Sequence, residues 1–225
     1  MKKGVICVSF VILLIAFVVA LTNDNFMVAV DDLENETDIL MLVNRNNRLP
    51  DGFSANLTTF EDMLIDEVVV VDLREMWSAA AEDNVQLHMT STYRDLAEQE
   101  QIFNNSVANF VSQGNSQSVA IERAKQIVAC PGYSEHHTGL AIDFSINDME
   151  RQVEMWSWLR RNAHRYGFIL RYPEGKEHIT GFSYEPWHFR YVGRQHAKTM
   201  YENGFVLEEY LEFLRSLISR PCKWE

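Results

Sequence analysis

Hydrophobic positions recur along this chain with three spacings, and each predicts a different element. Residues 4–21 (GVICVSFVILLIAFVVAL) are an apolar run without charge. A polar, acidic stretch follows over 22–38, and "ILMLVNRNNRLP" opens the folded part. Over 66–84 a short β-branched run passes into a helical pattern with Leu73, Met76, Trp77 and Ala80 on one face. Residues 85–94 alternate, with Val85, Leu87 and Met89 on one side, which predicts a strand. A helix is expected from Asp95, a residue type suited to capping, with Ile102, Phe103, Val107, Phe110 and Val111 as its stripe. A second helix over 118–129 should stop at the breaker cluster Cys130-Pro131-Gly132. The segment "YSEHHTGLAIDF" (133–144) reads as a turn entering a strand over 140–145. Residues 148–167 are helical, with Val153, Trp156 and Leu159 inward and Gly167 just past the end. "FILRY" and "WHFRYVG" read as strands around the loop 172–186. Residues 194–204 and 207–219 read as closing helices, the last with Leu207, Tyr210, Leu211, Leu214 and Leu217 in one stripe. Short strands mixed with helices, and no parallel crossover pattern, give an α+β fold.

Composition narrows the function. The chain has 225 residues, 47% of them hydrophobic, with 13 Phe, 8 Tyr and 5 Trp, enough for one sizeable core. Its formal charge is -12, and Lys and Arg form no basic block. Sequence-independent binding of nucleic acid needs such a patch, so nucleic acid is not an expected partner.

The start of the chain points to export. "MKK" ahead of the apolar run has the form of a signal peptide or a signal anchor, with 1–22 as its extent. Lys2 and Lys3 should stay on the cytoplasmic side, and Val18-Val19-Ala20 is a usable cleavage site. Cys7 lacks the arrangement of a lipoprotein signal. Residues 23–39 then form an acidic tether, 40–219 the folded domain and 220–225 a tail. The remaining cysteines, Cys130 and Cys222, form one disulfide or stay separate thiols; both readings stand.

Three segments carry chemistry. His136 and Asp143 flank Gly139, which lets the backbone turn so that both side chains can converge. Apolar neighbours Leu140, Ala141, Ile142 and Phe144 hold Asp143 against a dry wall. A buried carboxylate without a partner is costly, so it needs a cation, and a metal is one solution. In "YEPWHFRY", Glu185 and His188 are three apart with Pro186 between them, which favours an extended or turned segment. Two imidazoles and a carboxylate suit zinc, whose catalytic sites keep three protein ligands and an open position. Glu185 would then be free to take a proton from water. Arg94, at the end of "STYR", can present a planar fork to a carboxylate. Taken singly, each segment also reads blandly: a turn with a stray carboxylate, a loop acid beside a strand histidine, a surface arginine.

Together "STYR", "SEHHTGLAID" and "EPWHFRYVG" resemble the motifs of the VanY-type D-alanyl-D-alanine carboxypeptidases. These zinc metallopeptidases form a group with lysostaphin-type enzymes and the Hedgehog signalling domain. Ser134, His136, Gly139, Ala141 and Asp143 match the family's middle motif, and residues 185–188 match its Glu-Pro-Trp-His. The resemblance spans about 40–214. Thr92 departs from it, standing where the family usually has glycine.

The resemblance implies an antiparallel sheet bearing a zinc cleft and flanked by helices. It implies one Zn2+ held by His136, Asp143 and His188, with Glu185 as catalytic base. Arg94 would bind or polarise the substrate, and Gln99 and Ser134 would contact it. His137 would lie at the cleft edge or behind the ligands. The implied reaction is attack of zinc-bound water, assisted by Glu185, on the last peptide bond of a peptidoglycan stem ending in D-Ala. A monomer is expected, on the outer face of a bacterial cell membrane through its N-terminal segment, or secreted if that segment is cleaved. Two rivals remain: an L,D-carboxypeptidase acting on tetrapeptide stems, and a non-catalytic zinc-containing binding domain.

Overall fold

The computed structural model describes residues 39–218. The expected anchor or signal (1–22), the tether up to residue 38, and the tail (220–225) with Cys222 lie outside the described residues. Among the described residues no helix is long and apolar enough to cross a membrane.

The fold opens with a hairpin of β1 (Leu57–Phe60) and β2 (Met63–Asp66), turned through Glu61 and Asp62, both at positive φ. Then come α1 (Val70–Glu82), β3 (Met89–Ser91), α2 (Leu96–Ser112) and α3 (Gln117–Ala124). A 3-10 turn over Glu135–Thr138 leads into β4 (Ala141–Phe144). The chain closes with α4 (Met149–Asn162), β5 (Phe168–Leu170), the single turn α5 (Glu177–Thr180), β6 (His188–Tyr191), α6 (Arg194–Asn203) and α7 (Leu207–Ile218). The second sheet is four-stranded, in the order β3-β4-β6-β5, and antiparallel throughout. This is the α+β architecture that the patterning predicts.

One sheet face builds the core and the other builds the site. Side chains alternate along a strand, and directly opposed residues share a face. Ile142 and Phe144 of β4, Phe189 and Tyr191 of β6, and Phe168 of β5 pack with Leu73, Met76 and Ala80 of α1 and Met155, Trp158 and Leu159 of α4. The intervening positions, Asp143, His188 and Arg190, point the other way. Asp143 and His188 are register partners. A separate apolar cluster, Val107, Ala120 and Ala124 with Phe103, Phe110 and Ile121, holds α2 against α3.

Local chemistry sets the boundaries. Asp95 caps α2 by accepting from the Glu98 amide at 2.8 Å, as expected. Gly167 ends the helical stretch of α4 in the left-handed region at φ 82°. The alternation at Val85, Leu87 and Met89 is real, since all three are buried, but only Met89–Ser91 pairs as strand. Ahead of Met89, His88 still bonds the chain just past β4, its carbonyl accepting from the Ser145 amide at 3.1 Å. The second predicted helix ends at Ala124 rather than at 129. Val111 and Val153 are exposed; the inward face of α4 is Met155, Trp158 and Leu159. Leu207, Tyr210 and Leu214 of α7 are buried, as the stripe predicts.

Candidate metal centre

Four segments deliver the site. The 3-10 turn carries His136, and Ser134 caps it, its hydroxyl accepting from the His136 amide at 3.4 Å. Gly139 ends the turn at φ 73°, and a Cβ there would lie 2.8 Å from the Asp66 amide nitrogen. The glycine therefore lets the turn close onto β2, where Asp66 N–H donates to the Gly139 carbonyl at 3.0 Å. Next, β4 and β6 present Asp143 and His188 side by side. The segment after β3 brings Arg94, whose amide donates to the His136 carbonyl at 3.2 Å.

Side chains converge on the Asp143 carboxylate. His136 Nε2 lies 3.3 Å from Oδ2, and His188 Nδ1 lies 2.8 Å from Oδ1. One ligand atom from each of these three residues falls within 4.8 Å of the others. His136 Nδ1 donates to the Thr92 carbonyl at 2.5 Å, since a carbonyl only accepts, so Nε2 carries a lone pair. That nitrogen is buried with no hydrogen-bond donor facing it. A lone pair set against a carboxylate oxygen is repulsive unless a cation lies between them. The donor set and this orphaned acceptor fit a divalent metal such as zinc, with Glu185 left over. Thr92, the departure from the family pattern, contributes its backbone carbonyl, which any residue type would supply.

Arg94 is engaged on three sides. Its Nε donates to Ser91 Oγ at 2.9 Å, Nη1 to Gln99 Oε1 at 2.8 Å and Nη2 to Asp143 Oδ2 at 3.0 Å. Each terminal nitrogen keeps a second N–H for the cleft. Gln99 is fully buried, and its amide also donates to the Ala129 carbonyl at 2.7 Å. It lines the cleft and also holds Arg94 in place through its amide oxygen. Ser134 also lines the cleft while its hydroxyl caps the turn. The cleft is small, about 150 Å³, and Trp187, Tyr172 and Phe182 complete its walls.

The electrostatics separate the acids. Burial raises Glu185 to about 7, despite the opposing charges of His188 and Arg94. Burial opposes the charge of Asp143, yet His136 and His188 hold it well below the usual carboxylate range. Burial lowers His136 to about 4. It also works against His188, but the hydrogen bond and charge of Asp143 raise that imidazole to about 9. Glu185 Oε2 sits 3.9 Å from His188 Nδ1, close to the converging atoms without belonging to the set of three.

His137 is not at the cleft edge. It is buried, with Nδ1 donating to the Arg94 carbonyl at 2.8 Å and Nε2 accepting from the Gly132 amide at 3.0 Å. These bonds fix it as a neutral brace behind the ligands. Of the histidines outside the motifs, His196 is buried against the Tyr210 hydroxyl and His164 stacks on Tyr201. Sequence reasoning missed Glu135. It is 2% exposed, accepts from Arg171 Nε at 2.8 Å and is ion-paired with Arg190, whose Nη1 lies 3.0 Å away. Burial opposes its charge, yet the two guanidinium groups hold it well below the usual range. The signal was an arginine within β6 and another just past β5, both set beside apolar residues, since a buried cation needs a buried acid.

Comparison with known proteins bears on this arrangement. Residues 62–194 match the family described as "VanY: D-alanyl-D-alanine carboxypeptidase". A D-alanyl-D-alanine carboxypeptidase of Enterococcus faecalis is 39% identical over 174 residues, covering 76% of this chain and 65% of the relative. The putative carboxypeptidase YodJ of Bacillus subtilis is 35% identical over 206 residues, covering 83% and 72%. The match thus spans just under two thirds of the first relative's length. Among solved structures, a mutant of the vancomycin resistance D,D-pentapeptidase VanY in complex with Zn(II) is 39% identical with a TM-score of 0.75. That match covers 77% of this chain and 99% of the other. The LD-carboxypeptidase LdcB is 37% identical with a TM-score of 0.65, covering 77% and 86%.

Proposed function

Because this chain belongs to the VanY family of D-alanyl-D-alanine carboxypeptidases, we propose that it is a zinc-dependent D,D-carboxypeptidase that removes the C-terminal D-alanine from peptidoglycan stem peptides. The observation that carries this reading is the convergence of His136, Asp143 and His188 beside a buried Glu185 that none of them uses. Zinc held by those three residues would polarise the scissile carbonyl and make a water molecule more acidic.

The chain's own groups then have distinct tasks. Glu185, raised to about 7 by burial, takes a proton from the attacking water and returns it to the leaving amine. Arg94 turns its remaining N–H groups to the oxyanion that develops, or to the substrate's terminal carboxylate. Gln99, Ser91 and Asp143 fix that guanidinium before substrate arrives, so its ordering costs nothing during the reaction. Trp187, Tyr172 and Phe182 narrow the cleft and exclude bulk water. We extend the proposal to location: the enzyme works as a monomer on the outer face of the cell membrane, held by its N-terminal segment or released from it.

The second reading, L,D-cleavage of tetrapeptide stems, draws on the similarity to LdcB. Synthetic pentapeptide and tetrapeptide muropeptides, weighed by mass spectrometry before and after incubation, separate the two. The expected result is loss of one alanine from the pentapeptide, abolished by a chelator. Glu185→Ala should stop the release while keeping one zinc per chain. Undiminished turnover in that variant would remove the mechanism.

A further inference from the structure

Glu135 has no part in the chemistry so far. Its Oε1 is taken by Arg171 and Arg190, whereas Oε2 is buried and has no hydrogen-bond partner. Facing it at 3.6 Å is His188 Nε2, also buried and also without a partner. The His188 ring is therefore held between two carboxylates: Asp143 Oδ1 at Nδ1, 2.8 Å away, and Glu135 Oε2 at Nε2. We infer that Glu135 is the positioning residue that keeps the proton of His188 on Nε2 and so leaves Nδ1 free to bind the metal.

The inference follows from proton counting, and it rests on the metal reading above. A neutral imidazole has one N–H and one lone pair. His188 Nδ1 faces the converging atoms, so as a ligand it must present the lone pair. The proton then belongs to Nε2, and a buried N–H needs an acceptor. Glu135 Oε2, 3.6 Å away, is the carboxylate oxygen nearest to hand. His136 shows the complementary solution, with Nδ1–H on the Thr92 carbonyl and Nε2 turned inward. The two imidazoles thus use opposite nitrogens, one fixed by backbone and one by a carboxylate. Fixing a ligand's far nitrogen in this way sets its ring orientation and raises its basicity.

Glu135 is itself braced from a distance. Arg171, fully buried, bridges it to Glu208 of α7 through Nη1 at 2.9 Å and Nη2 at 2.7 Å. Asn44 donates to the same Glu208 carboxylate at 3.0 Å. Arg190 Nη2 anchors on the carbonyls of Ile39 and Met41. The first residues of the domain and its last helix therefore converge behind one metal ligand.

The test uses the full chain with histidine labelled by 15N, the His188 signal being assigned from its loss in His188→Asn. In the zinc-loaded wild type, His188 should carry its proton on Nε2. Zinc affinity, measured by competition with a chromophoric chelator, should fall about 10- to 100-fold in both Glu135→Gln and Glu135→Asp. Glu135→Asp keeps the charge beside Arg171 and Arg190 but draws the whole carboxylate back, from the arginines as well as from His188. Thermal unfolding of the metal-free variants is measured alongside, so that weaker zinc binding is read in folded protein. A proton on Nδ1 in the loaded wild type, or unchanged affinity in both variants, overturns the inference alone. A wild type that takes up no stoichiometric zinc overturns the metal reading and the inference together. If both variants fail to fold, the wild-type resonance decides.

Discussion

Gln99→Leu is the sharpest probe of how the cleft is held. Gln99 is fully buried and joins two parts of the fold: its oxygen receives Arg94 Nη1 at 2.8 Å, and its amide donates to the Ala129 carbonyl at 2.7 Å. Leucine keeps the volume and removes both bonds. Leaving a buried polar partner unsatisfied costs about 1–3 kcal/mol, and more for a charged one. Arg94 borders the cleft and recovers part of this through water, so the sum is about 2–4 kcal/mol. For a domain of this size that corresponds to a fall in Tm of about 5–15 °C. Activity should fall further than stability explains, because a catalytic group displaced by ~1 Å loses up to ~100-fold in rate. Gln99→Glu separates the two effects. It keeps an acceptor for Arg94 but sets a carboxylate oxygen against the Ala129 carbonyl. That variant should lose stability while retaining more kcat/KM than Gln99→Leu. Thermal unfolding and D-alanine release from a pentapeptide are the two assays. A leucine variant that melts with the wild type and turns over at its rate would refute the assignment of Gln99 as the holder of Arg94.

Two further outcomes are expected. Gly139→Ala forces a side chain into the left-handed region, costing about 1–2 kcal/mol, and drives its Cβ to 2.8 Å from the Asp66 amide nitrogen. Chemical denaturation should show a larger loss than the conformational cost alone, and an unchanged midpoint would mean that the turn is not tied to β2. Burial lowers the pKa of His137, against the smaller opposing effect of the Arg94 carbonyl. The folded state therefore refuses a proton that the unfolded chain accepts below about pH 6.5. This stabilisation is present above about pH 6.5 and is lost as pH falls towards the folded pKa. His137→Gln does not titrate there, so its stability deficit relative to wild type should narrow from pH 8 to pH 5. A deficit that stays constant across that range would show that His137 is not held neutral.

Much of the site was legible because its residues sit within short contiguous motifs. His136 and Asp143 belong to one turn and strand, and Glu185 and His188 to one strand entry. Spacing alone brings each pair close, and the resemblance supplies the pairing between them. The apolar stripes of α1 and α7 were also legible, because each buries one continuous face. Val153 misled because α4 presents the face of Met155, Trp158 and Leu159, with Trp156 half-buried against the same core, as expected, and donating to the Phe144 carbonyl at 2.6 Å. Glu135 was hidden for a different reason. Its partners Arg171 and Arg190 lie 36 and 55 residues away in sequence, so no local pattern joins them. The turn before β4 and the return of β5 and β6 alongside that strand bring them together. The alternation in "HFRY" did hold a clue: Phe189 and Tyr191 claim the core, which sends Arg190 to the same face as His188.

The charges behind the cleft bear on why Glu185 can act as a base. Asp143, Glu135 and Glu208 are matched by Arg94, Arg171 and Arg190, through the contacts Arg94–Asp143, Arg171–Glu135, Arg171–Glu208 and Arg190–Glu135. Glu185 is the buried acid left outside this pairing, and burial, with the neighbouring charges of Asp143 and Glu135, carries it to about 7 against His188 and Arg94. At that value it is partly ionised at neutral pH, able both to accept a proton and to give it up. A divalent cation held by His136, Asp143 and His188 would favour the ionised form, because nearby positive charge lowers a carboxyl pKa. The fold thus leaves one carboxyl without a fixed cation, so the metal that activates water would also ready its base. Zinc binding and the protonation of Glu185 are then linked, each favoured when the other site is in its working state.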